Sequence, residues 1–535
     1  MTDPVSREFF APPTRRQLLT MIGKVGGAGA LYQAMTVLGH AADSQFSAPP
    51  RLTGAKPGAS VVVLGAGLAG MVAAYELTKA GYTVQVLEFQ DRTGGRNWSV
   101  RGGDTITELG SIQTVQFAPG NYLNPGPWRI PYHHRTVLHY CKELGVELEH
   151  FAQINHNAFV HRKDAYGGKP QRYREISTDF KGHVAELLSK SLNAGALDTA
   201  VTAEDKARLF DAMKEWGVLD KNRAYTKSIK VGEQRGWDRA PGGGVNGAPI
   251  PGEVGTLSDT LSTKVWQQIG FYAENVMQTT MFQPKGGMDR IGKGFAAKIG
   301  HLVRLNTRVS KIAQDDNGVT VSWTDSKTGV SGQTRADWLV CTIPATVLGQ
   351  LDVQVSDAKK AAIRALPYSN SVKIGLEMKR RFWETDYAIY GGHSFTDQDI
   401  SLISYPTGNW FGDGPAVVLG AYPYGLIGSY RLAGLTPEKR IAAALDQGSV
   451  FHPAEYKAEF LSGASVAWNR IPWILGCCAT WTETSRAAHY QNLVSLDGRV
   501  VLAGEHCSYY GCWQEGALLS SLDAISRLHQ RASAA

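Results

Sequence analysis

Gly65, Gly67 and Gly70 stand in the order G-x-G-x-x-G within "VVVLGAGLAGMVAAYELTKAGYTVQVLE". Each glycine has a separate use. Gly65 permits a tight turn, Gly67 lets backbone N–H groups approach a pyrophosphate, and Gly70 allows a helix to pack closely on a strand. Leu68 and Ala69 open the expected helix, whose positive N-terminus would face the phosphates. Glu88 stands where a carboxylate accepts hydrogen bonds from a ribose 2′-OH, which argues against a 2′-phosphate and so against NADP. A second glycine turn follows in "DRTGGRNWSV", where Gly95 and Arg96 add a further phosphate contact.

The elements that must position these residues are legible around them. Val61–Leu64 is a short continuous apolar run, as expected of a buried parallel strand. A helix is expected over Leu68–Ala80 and a second strand over Thr83–Leu87. Strand, glycine turn, helix, strand and terminal acid together specify a dinucleotide-binding unit far better than the glycines alone.

At 535 residues the chain is too long for one core, and two or three domains are expected. A hydrophobic fraction of 43% and a charged fraction of 19% are those of a globular protein. The net charge of +7 comes without a dense Lys/Arg block, which argues against nucleic-acid binding. Near the start, "PTRRQLLTMIGKVGGAGALYQAMTVLGHAA" pairs Arg15 and Arg16 ahead of a weakly apolar run. Lys24 and several glycines interrupt that run, so no stable membrane span is expected. It reads as a twin-arginine signal with a linker, residues 1–45, implying periplasmic or secreted export of a folded protein. None of the six cysteines has zinc-site spacing, and buried free thiols or a disulfide are both open. The pair His133-His134 lacks a third ligand, so no metal site is expected.

The second glycine turn resembles that of the FAD-dependent flavin amine oxidase superfamily, and the resemblance runs through nearly the whole chain. It continues in "QPKGGMDRIGKGFAAKI", in "LNTRVSKIAQDDNGVTVSW", in "SNSVKIGLEMKRRFWETDY", in "WNRIPWILGCCATW" and in "GRVVLAGEHCSYYGCWQEGALLSSLDAI". Bacterial L-amino acid oxidase-like members are the most similar. The resemblance implies an α/β fold: a Rossmann-like FAD domain of the glutathione-reductase-like type with a mixed α+β substrate domain. It divides the chain into a discontinuous FAD domain (58–112, 284–345 and 465–530), a substrate domain (113–150 and 346–464) and a mainly helical insertion (151–283).

The same resemblance assigns residues. For FAD it implies Gly65, Gly67, Leu68, Ala69, Gly70, Glu88, Gly95, Arg96, Gly110, Ser111, Val309, Gly504, Glu505, Gln514 and Ala517. Lys373 would hold a water near flavin N5, and Trp513 would form an aromatic wall facing the flavin; these two are the expected catalytic residues. Cys477 is the position that bears a flavin thioether in monoamine oxidases; non-covalent FAD is the expectation here, with a covalent link as the alternative. For substrate it implies Arg129, Gln113, Trp481 and Trp513. The family arginine that clamps an α-carboxylate is replaced by Gln113 in "ELGSIQ", and Arg129 in an R-I-P context is the substitute.

The implied chemistry is hydride loss from the C–H beside an amine nitrogen, hydrolysis of the imine, and peroxide formation from oxygen. An L-amino acid substrate giving a 2-oxo acid and ammonia is the first reading. A primary amine or polyamine, an amide-forming monooxygenase reaction and a non-catalytic exported flavoprotein are the alternatives. A homodimer is expected.

Overall fold

The computed structural model describes residues 46–534, apart from residues 198 and 424–425. The arginine pair and apolar run of the expected leader lie outside the described residues. Strand Ser60–Leu64 sits at the centre of a five-stranded parallel sheet. Thr83–Leu87 and then Val303–Arg304 lie on one side of it; Trp338–Cys341 and then Val500–Leu502 lie on the other. The continuous apolar run reflects burial on both faces. Val61 and Val63 pack into one core with Met71, Leu518 and Leu522, beneath helices Leu68–Lys79 and Gln514–Ala534. Val62 and Leu64 alternate into a second core with Val309, Val319 and Leu339.

A second, seven-stranded sheet carries the other half of the molecule. Its strand Val372–Met378 is buried at every residue and is paired on both sides, with Ala416–Ala421 and with Phe460–Ala467. Val372, Ile374, Leu376 and Met378 enter one apolar core. Lys373 and Gly375 therefore point to the opposite face, where Gly375 lies against Leu123. The boundary expected at residue 465 falls inside strand Phe460–Ala467.

Residues 151–283 begin as sheet, since Phe159–His161 and Gln171–Arg172 join the seven-stranded sheet. They then become helical, through Tyr173–Asn193, Ala203–Trp216 and three shorter helices that end with Trp266–Ala273. Strand Met281–Pro284 pairs with Ile130–Pro131 and Leu148–His150. Among the described residues no helix is long and apolar enough to cross a membrane.

Candidate active site

The carboxyl ends of the parallel strands open onto a cavity of 1280 Å³ that the seven-stranded sheet closes from the other side. Gly65, Glu88, Thr342 and Gly504, each just beyond a strand end, line it. At Gly65, φ is +95°, a conformation that L side chains rarely adopt. Its N–H donates to the Leu87 carbonyl at 2.8 Å. Gly67 caps helix Leu68–Lys79 with no side-chain hydrogen bond, and no acid stands in the first turn. The helix N–H groups are thus left for an anion.

The second glycine turn faces the first. A Cβ on Gly95 would stand 3.0 Å from Gly67 Cα, whereas one on Gly67 would meet nothing closer than Gly95 Cα at 3.9 Å. This cradle, free of side chains over an uncapped helix start, fits a pyrophosphate. Glu88 is buried, and burial raises its pKa above the usual carboxylate range. It accepts hydrogen bonds from Ala66 N at 2.5 Å and Gln90 N at 2.8 Å, which pull the other way. Arg96 donates to Glu505 at 2.9 Å and to the Cys477 carbonyl at 2.7 Å. Gln514 accepts from Asn97 at 2.7 Å, and Gln514 and Ala517 open the last helix into the cavity. Leu68, Ala69 and Val309 complete this end.

At the other end stand Lys373, Arg129 and Trp513. Lys373 Nζ donates to the carbonyls of Asn124 and Gly126. It lies 4.7 Å from the Trp128 ring centre and 4.6 Å from that of Tyr422. Burial first, then the charge of Arg129, hold its pKa well below that of an ordinary lysine. Arg129 is only 4% exposed. Its Cζ lies 5.1 Å from the Trp128 ring centre and 5.9 Å from those of Phe271 and Trp513. The guanidinium is poorly satisfied for its burial. Nη1 reaches Gln153 at 3.3 Å, Nη2 reaches the Met277 sulfur at 2.9 Å, and Nε has no partner. A guanidinium so buried and so weakly paired is unusual, since buried charges are normally fully hydrogen-bonded.

Five expected site residues are placed differently. Gly70 lies behind the cradle, where a Cβ would stand 1.9 Å from the Gly65 carbonyl oxygen, so it serves helix packing. Gly110 (φ +80°) and Ser111 lie at the turn between strands Thr105–Glu108 and Ser111–Thr114, outside the cavity wall. Gln113 is on the same hairpin and accepts from Ser465 N at 2.9 Å, so it does not face the substrate. This hairpin is held by Glu108, which is buried and bound by both Nη atoms of Arg440 at 2.8 and 2.7 Å. Trp481 does reach the cavity, but its indole N–H is used by the His506 carbonyl at 2.9 Å and its ring belongs to the core beneath the parallel sheet.

The structure also places residues that were not singled out from the sequence. Trp128, Phe271, Tyr422 and Met277 line the Arg129 end, together with Glu274 and Gln268. Gln267, Phe271 and Glu274 do stand at helical spacing, but that pattern alone reads as a core face. Cys478 and Cys512 form a disulfide, tying the strand after Cys477 to the loop before Trp513. Cys141, Cys341 and Cys507 are buried free thiols, and Cys477 is free in the cavity wall.

Comparison with known proteins agrees with this geometry. Residues 68–528 match the family of flavin containing amine oxidoreductases. The L-amino acid oxidase Bs29 of Bothriechis schlegelii is 28% identical over 87% of this chain and 89% of its own. The L-amino-acid oxidase of Siganus canaliculatus is 27% identical over 88% and 85%. In fold, the chain is similar to cyclohexylamine oxidase from Brevibacterium oxydans IH-35A, with a TM-score of 0.58 and 19% identity over 89% of this chain and 99% of that one. It is also similar to a putrescine oxidase bound to putrescine, with a TM-score of 0.54 and 16% identity over 89% and 99%. The chain is an FAD-dependent oxidoreductase that belongs to the flavin-containing amine oxidoreductase family.

Proposed function

We propose that this enzyme oxidatively deaminates an L-α-amino acid to a 2-oxo acid and ammonia, passing the electrons to oxygen as hydrogen peroxide. The observation that carries this reading is Arg129: a buried guanidinium with an unpartnered Nε beside the aromatic wall of Trp513. A carboxylate taken out of water needs such a charge-assisted partner. The names of the relatives favour the same substrate class.

FAD, when bound, supplies the hydride acceptor. The chain's own residues do the rest. Arg129 would anchor the carboxylate and fix which C–H faces the flavin. Trp513 and Trp128 would exclude bulk water and flank the amine. Lys373, with two carbonyls accepting from its Nζ, would use its remaining hydrogen-bonding position to hold a water. Burial raises the pKa of the Cys477 thiol, so it is not the thiolate that a covalent link requires; this supports FAD held without one. Export through the twin-arginine route is part of the same reading, and the Cys478–Cys512 disulfide suits an oxidising compartment.

The test is a peroxide assay across amino acids and their decarboxylated amines, with Arg129→Ala beside the wild type. Arg129→Ala should lose roughly 2–5 kcal/mol in kcat/KM for the amino acid, the usual cost of removing one partner of a buried charge pair. The matching amine should lose little. Better turnover of the amine by the wild type would replace this reading with an amine oxidase.

A further inference from the structure

Helix Trp266–Ala273 and its C-cap Glu274 turn a polar edge toward the cavity end that holds Arg129. Gln268 is buried there, and its Oε1 has no hydrogen-bond partner. Glu274 is 6% exposed, and among the described residues no side-chain hydrogen bond or ion pair holds its carboxylate. Arg129 is close enough to act on Glu274 electrostatically, but the two do not form an ion pair. Two residues with unpaired acceptors therefore line the same cavity as the cation.

We propose that Glu274, beside Gln268, forms a second recognition pole that binds a cationic group at the far end of the substrate side chain, so that L-amino acids with basic side chains are the preferred class. The inference rests on the amino-acid reading above.

Charge matching carries it. The nitrogen beside the C–H that gives up hydride must be neutral, so a substrate such as leucine brings only its carboxylate, which Arg129 takes. Glu274 is then left as a lone buried carboxylate, which is costly. A lysine, ornithine or arginine side chain removes that cost by meeting Glu274 with its own positive charge. Without such a partner burial pushes the Glu274 carboxyl up to about 7, and Arg129 only partly offsets it. The stem between the two poles would pass along Phe271, Trp128 and Tyr422, rings suited to methylene groups and to a nearby cation.

The experiment measures kcat and KM of the holoenzyme for lysine, ornithine and arginine against the uncharged norleucine and citrulline, in wild type and Glu274→Gln. The wild type should favour the cationic members by roughly ten- to a hundredfold in kcat/KM, the worth of a hydrogen bond to a charged group. Glu274→Gln should erase that preference through KM, leaving norleucine within about twofold. Norleucine outrunning lysine in the wild type would overturn the pole while leaving the amino-acid reading intact, and this arm needs no variant to fold. Equal losses on all substrates in Glu274→Gln would also overturn it, since that pattern belongs to a general base or to structural damage. Cadaverine turned over in place of lysine, with the Glu274→Gln loss retained, would keep the pole and overturn the amino-acid reading beneath it.

Discussion

Lys373 shows how strongly a site residue depends on its surroundings. In sequence it is one lysine within an apolar strand, a pattern that usually marks a solvated edge. In the fold it lies in a central strand, 1% exposed, with two carbonyls accepting from its Nζ and two aromatic rings close by. The expense of burying an ammonium there lowers the pKa of the side chain, and under the proposed function it holds a water beside the flavin. Lys373→Met should slow the oxygen-dependent return of oxidised flavin absorbance by on the order of tenfold to a hundredfold. Anaerobic bleaching by substrate should change much less. Stopped-flow traces of the two half-reactions check this, and an unchanged oxidative half would remove the role.

At the scale of elements, the first strand–turn–helix unit separates binding from packing within one motif. Gly67 has ordinary backbone angles and faces open cavity. Gly67→Val should therefore fold with a near-normal melting temperature yet fail to retain FAD, because the side chain would occupy the approach to the phosphates. Gly70 faces the Gly65 carbonyl oxygen at a distance no Cβ can share. Gly70→Ala should drive the helix off the strand and lower stability by roughly 1–3 kcal/mol, the usual cost of overpacking. Thermal unfolding beside the flavin absorbance of purified protein distinguishes the two. A Gly67→Val protein with a full flavin spectrum would move the phosphate site elsewhere.

Across the whole molecule, the cavity is made where two sheets meet, and the Cys478–Cys512 disulfide links two of its wall segments across 34 residues of sequence. Closing a loop of that length restricts the unfolded chain by roughly 4 kcal/mol. Replacing both cysteines by serine should lower the melting temperature of the holoenzyme and remove its sensitivity to reductant. The bond also ties stability to compartment. Arg15→Lys with Arg16→Lys should leave active protein in the cytoplasm with Cys478 and Cys512 reduced, as fractionation and thiol labelling would report. Unchanged export would refute the leader.

The dinucleotide unit was legible from sequence because its determinants are local. An apolar run, three spaced glycines and a terminal acid each act on backbone within a few residues of themselves, and Gly65, Gly67 and Glu88 line the cavity. Arg129, Lys373 and Trp513 were reached through motif resemblance, and the fold brings all three to one cavity end. The hairpin bearing Gly110, Ser111 and Gln113 went the other way. Its sequence has no sign that Glu108 would be buried against Arg440, an ion pair made across more than half the chain that pins the hairpin away from the cavity. Glu274, Gln268 and Phe271 were invisible for the same reason. They come from a helix remote in sequence, and a buried acid differs from a solvated one only in what packs around it. Sequence by itself determined the backbone cradle, whose physics is short-range; tertiary packing decided which charges are buried unpaired, and therefore what the cavity can recognise.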